Sequence, residues 1–100
     1  MFKVAKGDNG VIHMSGRLDA AQAPRAQEFL DSEQGPCVID LSALQYISSA
    51  GLGVLLRTHK RLMAAGESVK LVEVNAHIND VFSYSGFDRL FAIETASDVG

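Results

Sequence analysis

The sequence predicts an α/β fold in which a mixed central β-sheet is packed with helices, in the order ββαβαβαβ. A Gly-Asp-Asn-Gly turn at residues 7–10 separates two short strand-like runs. Apolar residues recur at helical spacing between residues 52 and 63. The largely apolar run at residues 37–41 is typical of a buried parallel strand, and residues 69–74 are expected to form another. Right-handed crossovers between these strands predict an N-terminal antiparallel hairpin followed by parallel strands.

The N-terminal hairpin is predicted from runs 2–4 and 11–14, because the residues between them tolerate the positive φ of a tight turn. A helix should follow near Pro24, since proline suits a first helical turn, and should end at Gly35-Pro36. We expect its inward face to be Ala26, Phe29 and Leu30.

The apolar run at residues 37–41 has the pattern of a central strand covered on both faces. Asp40, at the end of this run, is expected to bond to nearby loop amides instead of acting in catalysis. Cys37 is the only cysteine of the chain and is expected to be a buried hydrophobe. A disulfide within the chain is therefore impossible, and a reducing compartment is favoured.

The second helix has the strongest pattern in the chain and should end at Gly66. Its predicted inward face is Leu52, Leu55, Leu56, His59, Leu62 and Met63. A buried strand follows, and Asn75 then resembles the cap of a third helix that Gly86 closes. The inward stripe of that helix is predicted to be Ile78, Val81 and Phe82. A last strand is expected near Ile93, with residues 96–100 as the stub of a further helix.

Composition limits the classes of protein that this chain can represent. The 100 residues are 47% hydrophobic, which is enough for one core, so we expect a single domain over residues 1–100. The net charge is −3 and neither sign forms a run, which argues against a nucleic-acid partner. The longest apolar stretch is cut by Arg57, and the N-terminus lacks the apolar segment of a signal peptide. These features predict a cytoplasmic protein without direct membrane insertion.

The turn from Ile47 to Gly53, between the 37–41 strand and the long helix, is the most conspicuous feature of the sequence. A serine at a helix start is often only a cap, which contributes about 1 kcal/mol. Here two serines precede an alanine and two glycines, which gives more access to the backbone than a cap requires. The first-turn amides and the helix dipole favour an anion. We expect an accessible, anion-tolerant helix start, with the Leu18-Asp19 loop beside it on one rim of the sheet.

The strings Ile39-Asp40-Leu41-Ser42 and Ile47-Ser48-Ser49-Ala50-Gly51-Leu52-Gly53 together resemble the signature of STAS domains, in particular the bacterial anti-sigma factor antagonists. Three further strings, at residues 16–19, 72–75 and 86–91, agree with that family in order and spacing, so the resemblance covers nearly the whole chain. It implies a regulator that is not an enzyme. Such a protein binds an anti-sigma factor that is also a serine kinase, loses that binding when phosphorylated, and regains it through a serine phosphatase.

The resemblance also implies the residues of the site. The phosphorylated serine stands two residues before the first glycine of Gly-Leu-Gly, which is Ser49, and Ser48 is the second candidate. The position of the turn on the rim of the sheet further predicts partner contacts at Leu18, Asp19, Ser48, Ala50, Gly51 and Leu52, with bonding to nearby amides as the alternative role of Asp19. Ser48 departs from the family pattern, because many members have an aspartate at that position. The alternative use of the same fold is a scaffold or accessory subunit of a transporter or a sensory assembly, with Ser49 never phosphorylated.

Other kinds of site find little support in the sequence. The three histidines, His13, His59 and His77, have no paired spacing that would bind a metal. Ile47 occupies the position where a nucleophile elbow has glycine, and Leu56 replaces the third glycine of a dinucleotide fingerprint. We therefore predict no catalytic, cofactor or metal-binding residues, with a small enzyme or nucleotide-binding protein as the least favoured class.

Overall fold

The computed structural model describes residues 1–96 and has the predicted order of elements. The strands are β1 (Phe2–Lys6), β2 (Ile12–Leu18), β3 (Cys37–Ile47), β4 (Val69–Val74) and β5 (Ala92–Thr95). The helices are α1 (Ala23–Asp31), α2 (Ser49–Ala64) and α3 (Ala76–Ser85), and a 3₁₀ turn (Phe87–Arg89) precedes β5. Most of the helical stub predicted for residues 96–100 lies outside the described residues.

The five strands form one mixed sheet in the order β1-β2-β3-β4-β5. β1 is antiparallel to β2 across the predicted hairpin, and the remaining neighbours are parallel. Each parallel strand lies next to the one before it, and right-handed crossovers that advance in one direction place every connecting helix on the same face of the sheet. The mixed sheet predicted from the sequence is thus confirmed.

The prediction that the 37–41 strand is covered on both faces is wrong. Cys37, Ile39 and Leu41 are buried, whereas Val38 and Asp40 between them are half-buried. In β4 the exposed Lys70 likewise separates two buried residues. The helices cover only one face, so alternate residues point to the open face, and the apolar Val38 obscured this alternation in the sequence.

β3 is much longer than its apolar run and reaches Ile47. Its pairing with β2 shifts from His13↔Asp40 to Ser15↔Ala43, so β3 carries an extra residue there. The Asp40 carboxylate accepts a hydrogen bond from the Ser42 N–H at 2.8 Å within this bulge, which confirms the structural role expected for it. The bulge interrupts the alternation of buried and exposed residues, which hid the second half of the strand from pattern analysis.

The inward face of α2 is rotated relative to the prediction. Its buried residues are Gly51, Val54, Leu55, Thr58 and Leu62. Of the predicted face, only Leu55 and Leu62 are buried, and Met63 is 58% exposed. The helix turns its small residue Gly51 toward the sheet, because that side allows the closest approach of the backbone.

α1 begins as predicted, with Pro24 in its first turn, but it ends at Asp31, before Gly35. Arg61 of α2 binds this end by donating from Nη2 to the carbonyl oxygens of Leu30 at 2.8 Å and Glu33 at 3.0 Å. Leu30 lies in the last turn of α1, where a helix leaves carbonyl oxygens without intrahelical partners, and Glu33 lies just beyond it. Local bonds close the same end, because Ser32 Oγ donates to the Phe29 carbonyl oxygen at 2.6 Å and the Glu33 N–H donates to that of Leu30 at 3.0 Å.

α3 has the predicted caps. The Asn75 side chain accepts a hydrogen bond from the Ile78 N–H at 3.0 Å, and Gly86 adopts the left-handed conformation at φ 80°. Ile78 and Phe82 are buried as predicted, and Val81 is half-buried. Within residues 1–96, no helix is both long enough and apolar enough to cross a membrane.

Candidate functional site

The serine turn lies where β3 passes into α2 with only one residue between them. Ser48 has extended backbone geometry, φ −90° and ψ 174°, and is the N-cap of the helix. Its Oγ accepts a hydrogen bond from the Gly51 N–H at 3.2 Å. Ser49 is then the first helical residue. The two neighbouring hydroxyls therefore have different surroundings, because only that of Ser48 is used by the helix end.

The Leu18-Asp19 loop lies beside this turn, as the sequence predicted. Leu18 and Ile47 are paired at the ends of the parallel strands β2 and β3. The Ser48 N–H donates to the Leu18 carbonyl oxygen at 2.9 Å. Asp19 comes next, and its Oδ1 accepts from the Gln22 N–H at 3.1 Å. Parallel pairing has thus brought two connections from distant parts of the chain to one rim.

The residues expected to contact a partner divide into exposed and buried ones. Ser49 is exposed, and Asp19, Ser48, Ala50 and Leu52 are half-buried. Leu18 is fully buried, and Gly51 is buried against it. The expectation that Leu18 and Gly51 offer contact surface is therefore corrected: they support the turn from beneath.

The two glycines of Gly51-Leu52-Gly53 have different structural roles. A Cβ on Gly51 would lie 2.8 Å from Ile47 Cγ1 and 2.9 Å from both Cγ and O of Leu18. A Cβ on Gly53 would meet only the guanidinium of Arg57, with Nη1 at 3.2 Å. Gly51 is required for the close packing of α2 on the sheet, whereas Gly53 leaves room for an arginine.

An open groove of about 690 Å³ runs between α1 and α2, with Ser49 among its lining residues. The α1 side and the loop before it contribute Ala20, Ala23, Pro24, Gln27, Glu28 and Asp31, and α2 contributes Ser49, Ala50, Gly53 and Arg57. Arg57 Nε donates to Gln27 Oε1 at 2.9 Å across the groove. Sequence reasoning missed Arg57 and the α1 wall, although Ser49, Gly53 and Arg57 are spaced at i, i+4 and i+8 on one helical face.

The surroundings of Ser49 can be described for residues 1–96. Within residues 1–96, no histidine or carboxylate hydrogen-bonds to Ser49, and no group of three or more His, Cys, Asp or Glu side chains could hold a metal ion. Two of the histidines have contacts elsewhere. His59 packs against Phe91 with ring centroids 4.6 Å apart, and His13 Nδ1 lies 3.7 Å from Asp40 Oδ2 on the open face of the sheet.

Fold and site together define a small mixed-sheet α/β domain that presents a serine at the start of a helix, beside the rim loop of a neighbouring parallel strand. The chain belongs to the STAS domain family, whose profile matches residues 3–100.

Relatives of known name agree with this assignment. The chain is 34% identical over 89 residues to BtrV of Bordetella bronchiseptica, covering 89% of this chain and 75% of that protein. It is 30% identical over 101 residues to the anti-sigma-B factor antagonist of Bacillus subtilis, covering 97% and 93%. Its fold matches the structure of the Bacillus cell fate determinant SpoIIAA in the phosphorylated form, with a TM-score of 0.70 and 16% identity over 98% of this chain and 93% of that one.

Proposed function

We propose that this protein is a cytoplasmic anti-sigma factor antagonist whose partner is an anti-sigma factor with serine kinase activity. The unmodified protein binds that partner, phosphorylation of Ser49 ends the binding, and a serine phosphatase restores it. The membership of the STAS family and the names of its relatives support this class. The protein is then a ligand and a substrate of its partners and not a catalyst.

The choice of Ser49 over Ser48, which the family pattern implies, is supported by the different use of the two hydroxyls. Ser48 is half-buried, and its Oγ accepts the Gly51 N–H, so transfer of a phosphoryl group to it would disturb the cap of α2. Ser49 is exposed at the first position of the helix. A kinase can reach its oxygen without moving the backbone.

The proposed modification is a phosphoryl transfer from ATP. The Ser49 oxygen forms a bond to the γ-phosphorus, the bond from that phosphorus to the bridging oxygen of ADP breaks, and the hydroxyl proton leaves to the kinase or solvent. The product carries about −1.5 to −2 charges at the N-terminal end of α2. The helix dipole favours negative charge there, so the fold is expected to tolerate it.

Loss of binding follows from the surface around Ser49. Ala50 and Leu52 are small or apolar and half-buried, and Asp19 already contributes a carboxylate nearby. A partner that packs on this surface must desolvate whatever lies at its centre. A doubly charged phosphate there is costly to desolvate and repels an acidic or apolar partner surface.

Capture from the native host, with the unmodified chain and Ser49→Glu as paired baits, tests the proposal. We expect the unmodified chain alone to retain an ATP-dependent serine kinase. That kinase should phosphorylate the wild type and Ser48→Ala once each, as measured by intact mass, and should leave Ser49→Ala unmodified. Full phosphorylation of Ser49→Ala, or normal binding of Ser49→Glu, would show that the assignment is wrong. Capture of transporter or sensory subunits by both baits would instead support the scaffold function.

A further inference from the structure

Arg57 shares the α2 face of Ser49 and holds its guanidinium above the glycine between them. We propose that Arg57 binds the phosphoryl group of phosphorylated Ser49 within the same chain, so that the phosphate folds into the α1–α2 groove. This inference rests on the proposed function and assigns to the modified state a residue that the unmodified site does not use.

The length of the Arg57 side chain and its position on α2 bring the two groups within reach. Ser49 and Arg57 are eight residues, or about 12 Å, apart along the helix axis, and Gly53 stands midway between them on the same face. Helical side chains lean toward the N-terminus, so Arg57 leans toward Ser49. Its Nη1 lies only 3.2 Å from the place where a Gly53 Cβ would be. A phosphoryl group lengthens the Ser49 side chain, and Ser49 lines the same groove as Gly53 and Arg57.

Arg57 has donors available for a phosphate. Its Nε is bound to Gln27 Oε1 at 2.9 Å, which holds the plane of the guanidinium across the groove. Within residues 1–96, Arg57 forms no ion pair, although Glu28 and Asp31 line the same groove. Asp31 is bonded to Gln27 Nε2 at 2.8 Å instead. The two terminal amino groups can therefore donate to phosphate oxygens in the bidentate geometry that guanidinium favours.

The helix end alone offers a weaker site. The Gly51 N–H already donates to Ser48 Oγ, and the Leu52 N–H donates to the Ser48 carbonyl oxygen at 2.9 Å. One of the amides that the first turn leaves free for an anion is thus engaged before any phosphate arrives, whereas the Leu52 N–H makes the ordinary first bond of the helix. The full positive charge of Arg57 adds to the attraction of the amides that remain free.

A phosphate bound to Arg57 would change the contacts within the α1–α2 groove. Gln27 also donates to Thr58 Oγ1 at 3.4 Å, so Arg57, Gln27 and Asp31 form one chain of contacts between α2 and α1. A phosphate that engages Arg57 is held against this chain. The phosphorylated protein then presents an altered α1–α2 surface as well as an added charge.

The test uses the full chain with phosphoserine installed at position 49 by genetic encoding, so that it does not depend on any kinase. The second pKa of the phosphate, ordinarily about 6, is measured by ³¹P NMR titration in otherwise wild-type protein and in Arg57→Gln, Arg57→Lys and Lys60→Gln. Lys60 is the matched control, because it is an exposed cation on the same helix but farther from Ser49. All these substituted side chains are exposed, so the variants should remain folded.

We expect the phosphate pKa to be higher in Arg57→Gln than with Arg57 present by roughly half a pH unit or more, because a nearby cation favours the dianion. Arg57→Lys should give an intermediate pKa, and Lys60→Gln should change it by less than half as much as Arg57→Gln. Equal values with and without Arg57, or equal effects of Arg57→Gln and Lys60→Gln, would overturn the inference. A kinase that never modifies Ser49 would contradict the proposed function and leave this measurement unaffected.

Discussion

Gly51 lies so close to Leu18 that a Cβ on the glycine would be 2.9 Å from the Leu18 carbonyl oxygen. The same oxygen accepts the Ser48 N–H at 2.9 Å. One carbonyl at the end of β2 thus sets the position of the cap and of the first turn of α2. The exposed surface of the site depends on this buried contact.

Substitution of the two glycines should separate their roles. We expect Gly51→Ala to lower the free energy of unfolding by about 2–3 kcal/mol, because the methyl group must displace the Leu18 backbone and two core side chains. Gly53→Ala is the control and should be neutral or raise it by up to about 1 kcal/mol, since only the mobile end of Arg57 must move. Urea unfolding measures both, and equal stability of the two variants would contradict the packing role of Gly51.

Ser48 should stabilise the protein as the N-cap of α2. We expect Ser48→Ala to cost about 1 kcal/mol of unfolding free energy, because the Gly51 N–H loses its acceptor. Ser48→Asp should stay within a few tenths of a kcal/mol of wild type, since serine and aspartate are comparable N-caps. Thermal or urea unfolding of the wild type and the two variants measures these differences in stability. A loss in Ser48→Asp as large as in Ser48→Ala would mean that serine does not replace the usual aspartate as a cap.

Asn75 joins α3 to the bulged part of β3. Its Oδ1 caps the helix, while its Nδ2 donates to the carbonyl oxygens of Leu44 at 2.8 Å and Leu41 at 3.3 Å. We expect Asn75→Ala to lower the free energy of unfolding by about 2 kcal/mol or more, since the cap and these donors are lost together.

Asn75→Asp separates the two functions of that side chain. The aspartate keeps a capping oxygen but places a second oxygen against the Leu44 carbonyl, so this variant should also be destabilised. Asn79→Ala, on the same helix, is the control and should change stability by no more than about 0.5 kcal/mol. Wild-type stability of Asn75→Asp in urea would show that the donors contribute nothing.

Cys37 should make stability depend on alkaline pH. Burial, assisted by the negative charge of Glu33, raises the pKa of its thiol from 9.0 to about 11. The folded state therefore keeps the proton longer than the unfolded state, and this contribution is fully present below pH 9.0 and is lost as pH rises through about 11. The thiol should also react slowly with iodoacetamide in the native protein.

Urea unfolding of wild type and Cys37→Ala across that pH range measures this contribution. Other groups titrate in this pH range in both proteins. The quantity to compare is therefore the slope of unfolding free energy against pH in the wild type and in Cys37→Ala. The wild type should lose stability more steeply with pH than the variant. Parallel pH profiles, or rapid alkylation of the native thiol, would show that the thiol is not held in its protonated form.

Local features of the sequence determined the order of the elements, the hairpin turn at residues 7–10, the caps at Asn75 and Gly86, and the serine turn with Ser49 at its helix start. These features depend on the backbone preferences and spacing of neighbouring residues, which the sequence displays directly.

Only the tertiary structure decided which residues of that turn are exposed, how far β3 extends, and that Arg57 lies over Gly53 with Gln27 as its partner. Leu18 is predicted as a partner contact but is buried, because the first turn of α2 packs on its side chain at Gly51. Arg57 and Gln27 are brought together by the packing of α1 on α2, and no local pattern records the rotation of either helix. Contacts between segments distant in the chain depend on how whole faces fit together, so they become visible only in the folded molecule.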